Sequence, residues 1–235
     1  MINDMTYIEI DILKNNIKEF IVKLGDVAEK ENYRLTRADE SFYSSIAKYI
    51  VFCKYLVQSS FLGDKYQFLD NIISDSYYLI LSLIKKEKRY MYVNERSIIE
   101  NNVRMITFTT LEDNYITSDA FEKLKTMAYR LKESEYSLLR SEYRVACDFV
   151  HGGLLQHENL SFVLDECLKK DELSEKDKNA FYCRVLNILK IFNYMLIAEY
   201  TEEINGCFHR RKSLMGYLIG DNMVDYIFDN LNNKR

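Results

Sequence analysis

The chain of 235 residues contains no proline and only seven glycines, so it lacks most of the residues that interrupt helices. Apolar side chains recur at helical spacing over long stretches. Phe181, Val185, Ile188, Phe192 and Met195 alternate four and three residues apart, as the buried seam of a helical bundle requires. No segment shows sustained alternation of apolar and polar residues between turn signals. The pattern predicts an all-α protein built as a helical bundle.

The predicted helices cover most of the chain. We expect them at about 7–30, 40–61, 64–86, 92–109, 119–130, 133–151, 174–203 and 214–230. Three of them begin with residue pairs typical of a capping box, namely Asp64 with Gln67, Asp119 with Glu122, and Ser174 with Asp177. There is no internal repeat and no low-complexity linker. We therefore expect one domain over 1–235, with N-terminal helices at 1–87, a core at 88–205 and a C-terminal helix at 206–235.

The charge balance limits how this chain could contact nucleic acid. The formal net charge is −4 and the sequence pI is about 5.6. A protein that coats nucleic acid by bulk charge is strongly basic, so this class is disfavoured. RNA binding would need a local cluster of positive side chains. There is also no phosphate-binding glycine loop, nucleophile elbow or dinucleotide fingerprint, so ATP-dependent and serine-hydrolase chemistry are not indicated.

The cysteines and the N-terminal sequence bear on location and cofactors. The five cysteines are scattered and form no Cys-x-x-Cys pair, which favours free thiols in a reducing cytoplasm over disulfides. No second Cys or His pair accompanies Cys147 and His151 at metal-binding spacing, so we expect no metal site and no cofactor. The N-terminus has no signal-peptide pattern, and charges interrupt the apolar stretches before they reach membrane-spanning length. We expect a cytoplasmic protein without a membrane span.

The segment Tyr143–Gly153 holds the side chains that point most directly to chemistry. Arg144 and His151 are seven positions apart, which is about two helical turns, so both lie on one face of the predicted helix, and Arg140 lies near the same line. Gly152 and Gly153 follow, so His151 is expected within about two residues of the helix C-terminus. An arginine can hold a phosphate, and a histidine beside it can move a proton.

This segment resembles the arginine, four-to-six residues, histidine motif of the HEPN superfamily. Tyr143, Cys147, Val150, His151 and Gly152 also resemble a helix ending found in several HEPN-like families. The resemblance implies an all-α HEPN-like fold with flanking helices, its core at 88–205. It implies a metal-independent endoribonuclease of bacterial antiviral defence, of the abortive-infection type, or of a toxin–antitoxin pair. It further implies RNA as substrate, a cyclic phosphate product and a homodimer that pairs the two motif helices, with an antitoxin or a defence-system protein as a further partner.

Two observations keep a non-catalytic alternative open. Val145 follows Arg144 where many nuclease members have a polar residue, and the acidic balance also favours a HEPN-like helical module that binds a partner protein. Asp148 lies four positions after Arg144, so the two could form an intrahelical ion pair. Such a pair typically stabilises a helix by roughly a few tenths of a kcal/mol. His151 could equally serve only as a cap for the helix end.

A second group of charges lies on the helix expected before the motif. Arg96, Glu100 and Arg104 are spaced by four and form one stripe between apolar residues. A similar Arg-x-x-x-Glu-x-x-x-Arg helix precedes the histidine helix in some HEPN-like proteins. We hypothesise that Glu100 orients Arg144 or His151, and that Arg96 or Arg104 extends a phosphate-binding groove. The alternative is a self-contained ladder of salt bridges, and the sequence does not separate the two.

Overall fold

The computed structural model describes residues 2–59, 61–108, 117–151, 159–161, 164 and 173–233, with side chains from residue 7 onward. The described part of the chain is all-α and contains no strand, as the sequence predicted. Its helices are α1 (Ile2–Lys30), α2 (Arg37–Gln58), α3 (Tyr66–Ile84), α4 (Lys88–Ile106), α5 (Thr117–Leu124), α6 (Glu133–Val150), α7 (Glu175–Glu199), α8 (Thr201–Cys207), α9 (Lys212–Ile219) and α10 (Asp221–Asn233).

One of the three predicted capping boxes marks a helix start. The Ser174 hydroxyl accepts a hydrogen bond from the Asp177 backbone N–H at 3.1 Å, and α7 begins at the next residue. The other two predictions were wrong. Asp64 lies in a 3-10 turn at Gly63–Lys65, and α3 starts after Lys65 without a side-chain cap. Asp119 lies inside the first turn of α5, where a carboxylate interacts with the helix dipole rather than capping it.

The C-terminal third contains two breaks that the sequence pattern did not predict. The helix expected to reach 203 ends at Glu199, and α8 follows as a separate short helix. The single helix expected at 214–230 is two helices, α9 and α10, separated by Gly220. Gly220 adopts φ +98°, a left-handed conformation that residues with a Cβ rarely adopt, and its N–H closes α9 on the Gly216 carbonyl at 2.8 Å.

Helix α7 is the central helix of the bundle. Phe181, Val185, Ile188, Phe192 and Met195 are all buried, so the predicted seam is confirmed. Of the helices in the described ranges, α7 alone has the length and apolar composition of a membrane span, and 61% of its most apolar window is buried in the bundle. Its apolar side chains are therefore occupied by contacts with the neighbouring helices.

Two apolar clusters hold the bundle together. The larger draws on α1–α4 and α6–α10, and the smaller joins α4, α5, α6 and α7 through side chains such as Ile99, Phe121 and Leu139. Helix α6 lies against α4, where the rings of Phe149 and Tyr92 stack at 4.0 Å between centroids. Helix α6 is thus fixed by packing on one side, while its other side faces out.

A buried ion pair joins α2 to α7. The Lys178 ammonium lies 3.0 Å from an oxygen of Asp39, which is fully buried. The Tyr182 hydroxyl donates to Asp39 at 2.7 Å, the Thr36 N–H donates at 2.7 Å, and the Tyr33 hydroxyl also donates to this carboxylate. Burial by itself would raise the pKa of Asp39, but these hydrogen bonds hold the pKa below its usual value.

Candidate functional site on helix α6

Helix α6 has defined ends that place His151 where the sequence predicted it. At the start, the Glu135 carboxylate accepts a hydrogen bond from the Lys132 backbone N–H at 2.9 Å. At the end, His151 directly follows the last helical residue, and its backbone N–H bonds to the Cys147 carbonyl at 2.9 Å. The predicted position of His151 at a helix C-terminus is therefore confirmed. The glycine pair on which that prediction depended lies outside the described residues.

The two faces of α6 differ sharply in burial. Tyr136, Leu139, Glu142 and Ala146 are buried against the bundle. The opposite face carries exposed side chains, namely Arg140, Arg144, Asp148 and His151. Seven residues of α-helix advance about 10 Å along the axis, so Arg144 and His151 stand about 10 Å apart on this outer face. The arrangement brings the predicted motif residues to one accessible surface.

Among the described residues, Arg144 does not pair with Asp148, its acidic neighbour on the helix. Asp148 is four residues away, but within the described ranges the two side chains form no ion pair, and Arg144 has no hydrogen-bond or salt-bridge partner there. The intrahelical pair that the sequence allowed is therefore not formed. An exposed guanidinium without a carboxylate partner keeps all its N–H donors available for an incoming anion.

A groove of about 640 Å³ runs between α5 and α6. It is lined on the α5 side by Thr117 and Phe121, and on the α6 side by Ser137, Arg140 and Arg144, among others. His151 does not line it. The groove is therefore lined by Arg140 and Arg144, two of the three basic residues that the sequence predicted on this helix face, and His151 is not part of its lining.

Arg140 is held in this groove by aromatic rings. Its guanidinium carbon lies 5.6 Å from the centroid of the Phe121 ring and 6.0 Å from that of Tyr136. Both distances suit a cation–π contact. The acidic neighbour Glu122 is already engaged, because it accepts a hydrogen bond from the Tyr136 hydroxyl at 2.5 Å and pairs with Lys125 at 3.0 Å.

The charged stripe of α4 forms a ladder of salt bridges, which is one of the two arrangements that the sequence left open. Arg104 Nη2 lies 3.0 Å from one oxygen of Glu100, and Arg96 Nε lies 3.9 Å from the other. The Arg96 guanidinium also lies 5.8 Å from the centre of the Tyr143 ring on α6. Glu100 is thus held by the arginines of its own helix and, within the described ranges, makes no ion pair with Arg144. Arg96 contacts α6 through Tyr143.

A basic residue that the sequence pattern did not single out lies at the end of α6. Arg89, at the start of α4, donates from Nη2 to the carbonyl of Val150 at 3.1 Å. Lys88 places its ammonium 5.2 Å from the Phe149 ring centroid. The last carbonyls of a helix carry partial negative charge and lack intrahelical partners, so a cation there stabilises the end. Arg89 thus contacts Val150 and Lys88 contacts Phe149, the two residues that come directly before His151 in the sequence.

The sequence pattern also did not single out Glu95, a buried acidic residue on the inner side of α6. Glu95 on α4 is 2% exposed, and neither carboxylate oxygen has a hydrogen-bond partner in the part of the chain that the structure describes. Its neighbours include Glu142, which pairs with Arg184 at 2.7 Å. Burial, together with repulsion from Glu142, raises the pKa of Glu95 to about 8 although Arg184 opposes the shift. Glu95 is therefore mostly protonated at neutral pH.

Within the described ranges, no three His, Cys, Asp or Glu side chains lie close enough to hold a metal ion. Comparison of the chain with protein-family models, with curated proteins and with solved structures finds no match.

Proposed function

We propose that this protein is a HEPN-like endoribonuclease that cleaves RNA without a metal ion. The observation that carries the proposal is the outer face of α6, where Arg144 and His151 are both exposed and Arg144 has no partner among the described residues. A phosphate needs an available cation, and cleavage beside it needs a proton donor or acceptor. Arg140 adds a second positive charge one turn before Arg144.

In this proposal, the ribose 2′-hydroxyl gives up its proton and attacks the adjacent phosphorus. The bond between phosphorus and the 5′-oxygen breaks, and that oxygen takes up a proton. The products are a 2′,3′-cyclic phosphate and a 5′-hydroxyl. Arg144 contacts the non-bridging phosphate oxygens and stabilises their growing charge, while His151 transfers a proton.

The active form in this proposal is a homodimer in which the two α6 helices face one another. One chain offers a single His151, whereas the reaction needs one group to accept a proton and another to donate one. In the dimer, His151 and the partner subunit's His151 can take these two roles. The exposed face of α6 is available for such pairing because its packing against α4 uses only the opposite face.

The biological setting follows from the motif resemblance. We propose a cytoplasmic role in bacterial antiviral defence or in a toxin–antitoxin pair, with no membrane partner. An uncontrolled ribonuclease would damage its own cell, so an antitoxin or another defence protein is expected to bind it. The exposed α6 face is the surface that such a partner would cover.

A specific observation favours the non-catalytic alternative. Val145, where many HEPN nucleases have a polar residue, is partly buried and packs against the larger apolar cluster. Its side chain contributes to the core and not to the groove. In this alternative, the protein keeps the fold and the exposed face but binds a partner protein without cleaving RNA.

The product chemistry distinguishes these alternatives. End-labelled single-stranded RNA is incubated with the purified protein in EDTA, beside the same RNA with 2′-O-methyl groups throughout. The proposal expects cleavage of the first RNA only, with 2′,3′-cyclic phosphate ends on the fragments. Absence of cleavage, or cleavage of the methylated RNA, would refute the proposed chemistry. Stable capture of an intact partner protein without cleavage would support the alternative.

A further inference from the structure

The proposed cleavage chemistry uses the charge of Arg140 but not the two aromatic rings that lie beside it in the groove between α5 and α6. Arg140 is exposed, yet its guanidinium is backed by the rings of Phe121 and Tyr136 at 5.6 Å and 6.0 Å. We propose that Arg140 is a base-stacking platform that sets which nucleotide lies next to the cleaved phosphate. The proposal rests on the proposed ribonuclease function and adds a specificity-determining residue to it.

The geometry of Arg140 explains why it suits a base. A guanidinium is planar, and that of Arg140 lies within cation–π distance of two aromatic rings that also line the groove. Arg140 lines the groove and is exposed, so the flat face of an RNA base can stack on its guanidinium. The rings also restrain the long arginine side chain, which reduces the conformational entropy lost when a base binds.

The charges along the groove indicate how a strand would lie in it. Glu122 and Glu133 lie towards the N-terminal end of α6, and Arg144 lies towards its C-terminal end. A phosphate is therefore attracted towards Arg144 and repelled from the acidic end. Arg140 lies one turn, about 6 Å, before Arg144, close enough for one nucleotide to contact both. The base then lies on Arg140 while the phosphate lies on Arg144, on the side nearer to His151.

The surrounding residues fit this role. The groove volume of about 640 Å³ can accept a nucleotide. Ser137 lies one turn before Ser141 on the same wall, and its hydroxyl can bond to a base edge. Glu122, a carboxylate in the groove lining, is held by the Tyr136 hydroxyl and by Lys125. Within the described ranges, Arg140 forms no ion pair that would hold its guanidinium away from the groove.

The test combines an abasic scan of RNA with a change of side-chain shape. His151→Ala protein is used throughout, so that the RNA stays intact, and fluorescence anisotropy gives Kd for a short single-stranded oligonucleotide. Each position of the oligonucleotide is made abasic in turn. The same series is repeated with Arg140→Lys added, which keeps the positive charge but removes the planar group. Arg37→Lys, an exposed arginine on α2, is the matched control.

The inference expects one position at which loss of the base weakens binding about tenfold, in line with a lost stacking contact. In the Arg140→Lys protein, loss of the base at that position has almost no effect on Kd. The salt dependence of Kd is unchanged because the charge remains. Arg37→Lys keeps the full abasic effect. If RNA binds and the abasic series is the same with and without Arg140→Lys, the stacking role of Arg140 is refuted and the proposed ribonuclease function is not. Absence of any RNA binding would overturn the platform together with the proposed function.

Discussion

Glu95 offers the sharpest test of how the interior around α6 is built. The residue is 2% exposed, and both of its carboxylate oxygens lack a hydrogen-bond partner among the described residues. Burial and then repulsion from Glu142 raise its pKa to about 8. The usual value is 4.5. Between these two pH values the folded protein keeps a proton that the unfolded chain has released. The folded state therefore loses stability as the pH rises through this range.

The size of the effect follows from the width of that window. Each pH unit inside it costs about 1.4 kcal/mol, so the raised pKa of Glu95 removes roughly 3 kcal/mol of stability by pH 7. Glu95→Gln has nearly the same shape and cannot ionise. We expect the variant and the wild type to have similar free energies of unfolding near pH 4.5, and the variant to be more stable by roughly 3 kcal/mol at pH 7.

The assay is urea unfolding followed by circular dichroism at intervals between pH 4.5 and pH 8. Other titrating groups contribute equally to both proteins, so the difference between the two curves isolates Glu95. Glu19→Gln, at an exposed position on α1, is the control and should follow the wild type at every pH. Parallel curves for Glu95→Gln and the wild type would refute the reasoning, because they would mean that Glu95 titrates alike in the folded and unfolded states.

Three further predictions concern assembly, the α2–α7 ion pair and the end of α6. Light scattering at micromolar concentration should give the mass of two chains, and a monomer would contradict the paired α6 helices. Asp39→Ala should lower the unfolding free energy by about 3–5 kcal/mol because it removes the buried carboxylate that pairs with Lys178 and accepts hydrogen bonds from Tyr182 and Thr36. Asp39→Leu with Lys178→Met should cost much less, and equal losses in urea unfolding would contradict this. Because the pKa of Asp39 is lowered, its contribution is present above the ordinary aspartate range and is lost as the pH falls through the folded value, so the Asp39→Ala deficit should shrink in acid. Arg89→Ala should cost about 1 kcal/mol by removing the cation at the Val150 carbonyl, seen as a lower melting temperature, and an unchanged value would mean that the contact contributes nothing.

Local spacing was sufficient to predict most of the helices. The seam of α7, its Ser174 start and the range of α6 all follow from side chains within a few residues of one another. The helix break at Gly220 was not predicted because the apolar pattern continues across it. The left-handed φ that separates α9 from α10 does not change that pattern. One glycine is compatible with a helix as well as with its end.

The candidate site was predictable only where it depends on one helix. Arg144 and His151 share the outer face of α6 because the helical repeat places them there. The contacts of Arg89 with Val150 and of Arg184 with Glu142 join residues 61 and 42 positions apart, so they depend on how the helices cross. The rings behind Arg140 likewise come partly from α5. Sequence spacing contains no information on such crossings, which arise from packing of the whole bundle.

The measurement that tests the central claim most directly is the rate of RNA cleavage in EDTA by two pairs of variants. His151→Ala is compared with His209→Ala, an exposed histidine after α8, and Arg144→Ala is compared with Arg37→Ala. With melting temperatures within a few degrees of the wild type, we expect His151→Ala and Arg144→Ala each to lose about a hundredfold to ten-thousandfold in rate, and both controls to keep full activity. Full activity in the His151→Ala protein, or activity that appears only with an added divalent metal, would contradict the account.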